Sequence, residues 1–158
     1  MNSALAQSIA DLSNRWHNRF SRWRKSSESG HLRRGARGER LARRYLKRNG
    51  YKVLFCNFRG RSGGEIDVVC RDNDTLVFVE VKTRGREDFG RPFEAVDRDK
   101  RKRISRGALA WLRMLDNPDI LFRFDVVEVI IADDGKARVE LIQNAFPLSK
   151  PYLYSFAE

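Results

Sequence analysis

The chain has little of what builds covalently cross-linked or metal-stapled scaffolds. Its 158 residues include only two cysteines, Cys56 and Cys70, and two histidines, His17 and His31. Two cysteines are too few for a disulfide framework or a cysteine-based zinc site, so both are expected to be free thiols in a reducing cytoplasm. The two histidines are too isolated in the sequence to form a metal motif. An ordinary hydrophobic core must therefore supply the stability.

Long hydrophobic runs and secretory signals are also absent. No apolar run approaches the roughly 20 residues that span a membrane. The N-terminus lacks a compact apolar stretch followed by a small-residue cleavage site. We therefore expect a cytoplasmic protein with no transmembrane segment. Hydrophobic residues make up 41% of the chain, which suffices for the core of one compact domain.

Negative charge is scarce relative to positive charge. Lysine and arginine total 32 against 21 aspartates and glutamates, which gives a formal net charge of +11. Such an excess attracts polyanions through long-range electrostatics. Nucleic acid is the commonest partner of this kind, while an anionic membrane surface and plain solubility are the alternatives. Net charge alone does not choose among them.

The first 25 residues predict an amphipathic helix that is separate from the rest of the chain. Residues 26–30, Ser-Ser-Glu-Ser-Gly, break the helical pattern and are typical of a linker. We therefore divide the chain into residues 1–30, an N-terminal amphipathic helix with a serine-rich linker, and residues 31–158, a second domain. The apolar stripe could pack on this domain, bind a partner protein or, given its basic flanks, lie on a membrane. It consists of Leu5, Ile9, Leu12, Trp16, Phe20 and Trp23.

The remaining residues predict a mixed α/β domain. Apolar spacing and turn residues predict seven elements in the order αβββαββ, which describes a mixed central sheet flanked by helices. Gly50 stands where a helix C-cap is expected. The predicted elements are a helix over 32–49, strands over 51–58, 65–71 and 75–82, a helix over 94–115, and strands over 121–131 and 137–143.

Three acids and a lysine are expected to meet on one face of a β-hairpin. Side chains alternate between the faces of a strand, so Glu80 and Lys82 share a face, as do Glu65 and Asp67 on the preceding strand. Residues 72–74, Asp-Asn-Asp, favour a tight turn between these strands. If the hairpin loop has two residues, Asp67 lies opposite Glu80 and Glu65 lies opposite Lys82. A shift of one residue would send the acids to opposite faces, so this register is a specific prediction.

Such a cluster suits the hydrolysis of phosphodiester bonds. Two carboxylates can hold Mg²⁺, which prefers oxygen ligands, acidifies a bound water and stabilises charge on the phosphate. Lys82 can position or deprotonate the attacking water, or stabilise the transition state directly. Glu39, at the border of the apolar stripe of the first core helix, can complete the site if that helix packs on the sheet. Salt-bridged or solvent-facing strand charges are the structural alternative.

These residues resemble a known nuclease signature. Asp67, followed across a hairpin by Glu80-Val81-Lys82, resembles the PD-(D/E)XK nuclease superfamily. The resemblance extends from about Arg34 to Phe146 and is most specific to the YraN-like family of bacterial proteins. The motifs that carry it are Gly64-Glu65-Ile66-Asp67, Phe78-Val79-Glu80-Val81-Lys82-Thr83-Arg84, Phe89-Gly90, Arg123-Phe124-Asp125-Val126-Val127 and Asn144-Ala145-Phe146.

The resemblance implies a fold, a site and a cofactor. It implies a restriction-endonuclease-like core of the Holliday-junction-resolvase type. By analogy, Asp67, Glu80 and Glu39 would be ligands of Mg²⁺ or Mn²⁺. Lys82 would act on the attacking water or the phosphate, and Glu65 could orient Lys82. A homodimer is plausible by the same analogy, because two symmetric sites suit the cleavage of both strands of a branched substrate.

A set of basic residues is expected to surround the acids. Contacts between these residues and phosphates would give affinity for nucleic acid without sequence preference. A solvated face, partly neutralised by Asp97 and Asp99, is the alternative. The expected phosphate-binding residues are Arg59, Arg61, Arg84, Arg86, Lys100, Arg101, Lys102, Arg103 and Arg106.

The sequence therefore predicts a divalent-metal-dependent endonuclease that hydrolyses DNA, with branched or repair intermediates as the expected substrates. The main alternative is a non-catalytic nucleic-acid-binding protein with a nuclease-like fold. A third hypothesis is an adaptor that docks on a partner through its N-terminal helix.

Overall fold

Two α-helices and five strands make up the part of the chain described by this computed structural model, which covers residues 30–61, 63–85, 96–150 and 152. The predicted N-terminal helix, the domain division at residue 30 and Arg86 fall outside or at the edge of these residues and stay predictions. The elements are α1 (Gly30–Arg48), β1 (Lys52–Arg59), β2 (Glu65–Asp72), β3 (Thr75–Gly85), α2 (Arg98–Met114), β4 (Phe122–Ile131) and β5 (Ala137–Phe146).

The five strands form one mixed sheet in which spatial order follows chain order, β1-β2-β3-β4-β5. Neighbouring strands run antiparallel, except that β3 and β4 run parallel. A parallel pair needs a crossover connection, and α2 lies in that connection. The predicted αβββαββ order and the mixed sheet flanked by helices are thus confirmed.

The hairpin between β2 and β3 has the predicted register. Asp72 pairs with Thr75, and the ladder continues to the pair Val68 and Val79. Asn73 takes a left-handed φ of 50°, which asparagine tolerates better than most residues because its short side chain can bond locally. The next positions along the two strands, Asp67 and Glu80, thus lie at the end of this ladder.

One helix packs on each face of the sheet, because each helix has an apolar stripe that is buried against the strands. The stripe of α1, which includes Ala42 and Leu46, packs on valines of the central strands. The stripe of α2 packs on the aromatic opposite face. On the α1 face the buried valines are Val68, Val77, Val79, Val127 and Val129; the α2 face buries Phe58, Ile66, Phe78, Phe124, Val126, Ile104, Ala108, Trp111 and Leu112.

The predicted start of α2 at Glu94 is wrong by about one turn. The helix begins at Arg98, since the side chain of Asp97 caps it by accepting a hydrogen bond of 2.8 Å from the backbone N–H of Lys100. Val96, expected to lie on the helix, is buried just before it. The strands β3 and β5 are longer than predicted, because β3 continues along β4 to Gly85 and β5 continues to Phe146.

Two glycines let α2 lie directly on the start of β2. A Cβ at Gly64 would stand 2.2 Å from the backbone nitrogen of Gly107, and a Cβ at Gly107 would stand 3.1 Å from the backbone nitrogen of Glu65. This contact between backbones fixes where the first turn of α2 stands relative to Glu65. Neither described helix is long and apolar enough to cross a membrane.

Candidate active site

The carboxylates of Asp67 and Glu80 lie side by side at the end of the β2–β3 ladder. Oδ2 of Asp67 accepts a hydrogen bond of 2.8 Å from the backbone N–H of Val81, which fixes the aspartate against β3. Glu80 is only 6% exposed, although glutamate is rarely buried without a partner. The two acids, one position beyond the last pair of the ladder, therefore lie together at a half-buried position, while the predicted pairs Asp67–Glu80 and Glu65–Lys82 are not part of the ladder.

Burial and the neighbouring Asp67 raise the pKa of Glu80 from its ordinary 4.5 to about 8. Both effects disfavour a second negative charge, and Lys100 opposes them only in part. Oε2 of Glu80 is buried and receives no hydrogen bond from an N–H or O–H group of the described residues, while the carboxyl group lies close enough to Asp67 for the two acids to share a proton. A carboxylate oxygen of this kind can be satisfied by a proton or by a cation.

Lys100, from the first turn of α2, bridges the acids of both strands. Its Nζ lies 2.9 Å from Oε1 of Glu65 and 3.2 Å from Oε1 of Glu80. Its hydrogen bond to Glu65 lowers the pKa of that carboxyl group. Burial alone would lower the pKa of Lys100, but the carboxylates around it, led by Glu80, raise it above its ordinary value. The lysine therefore stays charged.

Lys82 follows Glu80 on the same face of β3 and is half-buried. Within the described ranges, its ammonium forms no hydrogen bond and no ion pair. The partner of Glu65 is Lys100 and not Lys82, so the structure gives no support to an orienting role of Glu65 toward Lys82. The charge of Lys82 does act on the exposed carboxylate of Asp97, whose pKa is lowered chiefly by the hydrogen bond from the backbone of Lys100 and also by Lys82.

Glu39, on α1, lies at the edge of the site, where it accepts a hydrogen bond from Asn57. The helix α1 lies tightly on β3 there, since a Cβ at Gly38 would fall 1.8 Å from Oγ1 of Thr83. Oε2 of Glu39 accepts a hydrogen bond of 3.3 Å from Nδ2 of Asn57 and lies 3.6 Å from Nη1 of Arg43.

Asn57 itself lies near the acid pair. Its place on β1 falls between the pairs that Cys56 and Phe58 make with β2, and so across from Asp67. Its left-handed φ of 56° marks a local departure from regular strand geometry. Glu39 is therefore connected to the site through Asn57.

Four of the predicted phosphate-binding residues make ion pairs or hydrogen bonds of 3.4 Å or less within the protein. Nε of Arg84 lies 3.0 Å from Oε1 of the buried Glu128, and Lys100 bridges Glu65 and Glu80. The side chain of Arg101 donates to the backbone oxygen of Val96 and stacks over Phe146. Lys102 lies 3.4 Å from Asp99 on the solvent side.

The other four described basic residues lie near the start of β2. Arg59 and Arg61 are exposed at the end of β1 and in the following loop. Arg103 is 49% exposed and lies 3.8 Å from Glu65. The guanidinium of Arg106 stands near Gly63 in that loop, and its buried Nε has no hydrogen-bond partner among the described residues. These four arginines form a basic surface beside Glu65, which we call the loop arginines.

Sequence reasoning missed two residues of the site. Glu128 lies beside Lys82 in the parallel register of β3 and β4 and is buried against Arg84. Its place after two valines in a predicted strand could have identified it as a charge at a buried edge. Asn57 gives no comparable signal, because an asparagine near the end of a strand is common and its left-handed φ is not visible in the sequence.

A second polar cluster, at the other end of the sheet, is structural. Asp125 is 0% exposed and accepts hydrogen bonds from Nε of Arg123 at 2.9 Å and from the backbone of Asn144 at 2.9 Å. Arg123 also binds Asp72 and the hydroxyl of Tyr51. This network ties the β2–β3 turn to β4 and β5, so Asp125 has a structural role.

The residues present fit a divalent cation that takes only one or two ligands from the protein. The described residues contain no group of three or more histidine, cysteine, aspartate and glutamate side chains that could hold a metal ion. Mg²⁺ commonly takes only one or two carboxylates and keeps several waters. Asp67 and Glu80, whose Oε2 receives no hydrogen bond from the described residues, match that requirement.

Stability in the absence of metal should depend on pH through Glu80. Because folding raises the pKa of this group, its contribution is fully present below its ordinary pKa of 4.5 and is lost as pH rises through about 8. Over that window we expect the wild type to lose stability relative to Glu80→Gln by on the order of a few kcal/mol. Urea unfolding in the presence of a chelator measures this difference. Glu140→Gln, at a more exposed carboxylate on β5, should track the wild type, and parallel curves for wild type and Glu80→Gln would refute the raised pKa.

The fold and the site together define the class of this protein. A five-stranded mixed sheet with a helix on each face, and an acid pair and lysine on its central hairpin, is the arrangement expected of a restriction-endonuclease-like core. The chain belongs to the family described as Uncharacterised protein family UPF0102, whose model matches residues 38–129. This is the family that the YraN-like motifs indicated. The matched range contains all five predicted catalytic residues.

Relatives in several bacteria are similar over most of their length. A UPF0102 protein of Geobacter sulfurreducens is 49% identical over 115 residues, which cover 73% of this chain and 89% of the relative. One from Geobacter metallireducens is 47% identical and covers 73% of this chain and 93% of the relative. One from Symbiobacterium thermophilum is 46% identical over 112 residues, 71% of this chain and 94% of the relative. Family membership by itself assigns no activity.

Proposed function

We propose that this protein is a divalent-metal-dependent endonuclease that hydrolyses DNA phosphodiester bonds in the cytoplasm, on branched or repair intermediates. One observation supports this most strongly. The buried Glu80 stands beside Asp67 with an oxygen that accepts no hydrogen bond among the described residues, and Lys82, whose ammonium has no hydrogen bond or ion pair with those residues, lies on the same face of β3. A purely structural ion-pair cluster would be expected to pair these groups with one another.

Asp67 and Glu80 are the residues that would hold Mg²⁺ or Mn²⁺. The bound cation would supply a water of lowered pKa and neutralise charge on the phosphate. The hydrogen bond from Val81 holds Asp67 in place, so the carboxylate needs little reorganisation when it binds a ligand. Glu39 would assist through Asn57, since α1 places it at the edge of the site.

Lys82 would act on the attacking water or on the phosphate. Its ammonium can orient the attacking water, or donate hydrogen bonds to a phosphate oxygen as negative charge develops there. These roles require a cationic group that is close to the acids and is not paired with one of them. The side chain meets both conditions in the described structure.

The loop arginines would contact the nucleic-acid backbone. They lie beside Glu65 at the start of β2, near the acid pair, and three of them are exposed. Contacts of this kind give affinity that depends on salt and not on base sequence. A homodimer would present two such sites to a branched substrate. The amphipathic helix predicted within the N-terminal segment would bind a partner protein.

A non-catalytic nucleic-acid-binding protein is the second candidate. The bridge that Lys100 makes between Glu65 and Glu80 favours it, because an internal cation already satisfies part of the acid cluster. In that case the acids would be structural and the basic surface would be the whole function.

A cleavage assay separates the two candidates. Labelled branched, duplex and single-stranded DNA are incubated with the wild type in Mg²⁺, Mn²⁺ or chelator, beside Asp67→Asn. We expect products only with metal, and a loss of at least about 10³-fold in Asp67→Asn, because the amide removes the charge that holds the cation. DNA affinity should be unchanged or slightly higher.

The matched control is Asp134→Asn, which makes the same change in the exposed β4–β5 turn and should cut like the wild type. If no substrate gives metal-dependent products, or if Asp67→Asn cuts as fast as the wild type, the proposal of a nuclease is wrong. The non-catalytic nucleic-acid-binding protein is then the remaining candidate.

A further inference from the structure

The ammonium of Lys100 occupies a position that is shaped for a cation. It stands 2.9 Å from Glu65 and 3.2 Å from Glu80, and so joins an acid of β2 to an acid of β3. The contact with Glu65 is a direct charge-assisted hydrogen bond, and the contact with Glu80 is an ion pair. The lysine is 20% exposed, so these contacts are only partly screened by water.

The backbone of Lys100 is held as firmly as its side chain. Its N–H donates to the capping carboxylate of Asp97 at 2.8 Å, which places the residue in the first turn of α2. The close contact of Gly64 with Gly107 holds that helix against the start of β2. The helix therefore presents the lysine to the acids as part of the fold.

The two carboxylate oxygens of Glu80 have different surroundings. Oε1 is engaged by Lys100, whereas Oε2 is buried and receives no hydrogen bond from an N–H or O–H group of the described residues. A divalent cation held by Asp67 and Glu80 would bind the same carboxylate that the ammonium of Lys100 contacts. Two positive charges so close together repel each other. The two cations therefore compete.

We infer that Lys100 is a positioning residue that holds the carboxylates of Glu65 and Glu80 when no metal is bound, and that gives up Glu80, but not Glu65, when a divalent cation binds. The inference rests on the proposed function, because it requires the acid pair to bind metal. It assigns to Lys100 a role different from the phosphate contact that the sequence predicted.

Titration of the full-length protein with Mg²⁺ tests this exchange directly. In protein labelled with ¹⁵N at lysine, the protected ammonium signal of Lys100, assigned by its loss in Lys100→Arg, should shift and exchange faster with water as Mg²⁺ is added. The midpoint should equal the dissociation constant from calorimetry. The signal of the exposed Lys52 should not move.

Affinity gives a second, independent reading. Lys100→Gln should bind Mg²⁺ about tenfold more tightly than the wild type, because a competing positive charge has been removed. Calorimetry in two buffers of different ionisation enthalpy corrects each value for protons released by the carboxylates. Lys100→Arg should bind like the wild type, and Lys52→Gln controls for the lost net charge.

The outcomes are distinct. If Mg²⁺ binds but the Lys100 signal stays unmoved at saturation, or if Lys100→Gln binds no more tightly than Lys52→Gln, this inference fails and the proposed function stands. If folded wild type and Lys100→Gln both bind no Mg²⁺ or Mn²⁺, the metal site fails and both proposals fall. Should Lys100→Gln not fold, the titration of the wild type decides alone.

Discussion

Replacement of Lys82 with methionine is expected to slow DNA cleavage by about 10³-fold at saturating metal, within the range seen when a group that acts only in the transition state is removed. Methionine keeps most of the aliphatic stem, so the half-buried side chain should still pack on β3. Since the ammonium makes no hydrogen bond or ion pair with the described residues, its removal leaves no buried carboxylate unpaired. Stability should therefore change little.

Single-turnover rates with enzyme in excess measure this effect, and a binding titration on the same DNA measures affinity. Lys52→Met removes the same charge from an exposed position at the start of β1, where the residue pairs with Arg71 at the far end of β2 from the acids. It should cut at the rate of the wild type. If Lys82→Met cuts DNA at a rate within about threefold of the wild type, Lys82 has no part in the mechanism. A threefold difference in rate is too small for a group that acts in the transition state.

Gly64→Ala is expected to be the most destabilising of these changes, by about 3 kcal/mol or more. The added methyl group would stand 2.2 Å from the backbone nitrogen of Gly107 and 2.6 Å from the carbonyl carbon of Arg106. Backbone atoms of a helix cannot move alone, so α2 would have to lift from β2. Because α2 carries Lys100 and β2 carries Glu65, the same change should also disturb the site.

Urea unfolding monitored by tryptophan fluorescence measures the loss, since Trp111 of α2 is buried in the core beneath this contact. Gly35→Ala is the matched control. No atom lies within 4 Å of its added methyl group, and the residue is inside α1. It should stabilise the protein by about 0.5–1 kcal/mol, the ordinary gain of alanine over glycine in a helix. Equal stability of wild type and Gly64→Ala would show that the glycine contact does not position α2.

Local patterns were sufficient to predict most elements of the fold. Alternating apolar residues predicted the strands, and turn residues such as Asn73 predicted where the chain reverses. The errors were at element ends. The start of α2 was placed about a turn early because the segment around Glu94 continues a helical apolar spacing, while the capping carboxylate of Asp97 decides where the helix begins.

The sequence by itself determined the acid pair. A two-residue turn after Asp72 sets the register, and strand alternation then places Asp67 and Glu80 at the same end of the hairpin. Both steps act over a few neighbouring residues of one chain segment, so no knowledge of distant packing was needed. Lys82 follows for the same reason, because it lies two residues beyond Glu80.

Only the tertiary structure decided what surrounds that pair. Lys100 reaches Glu65 across 35 residues of sequence, and Glu39 reaches Asn57 across 18, through the way each helix docks on its face of the sheet. Helix docking depends on close fits such as Gly64 against Gly107, which no local pattern encodes. The sequence thus fixes which residues share a strand face, whereas packing decides which charges from the helices meet them.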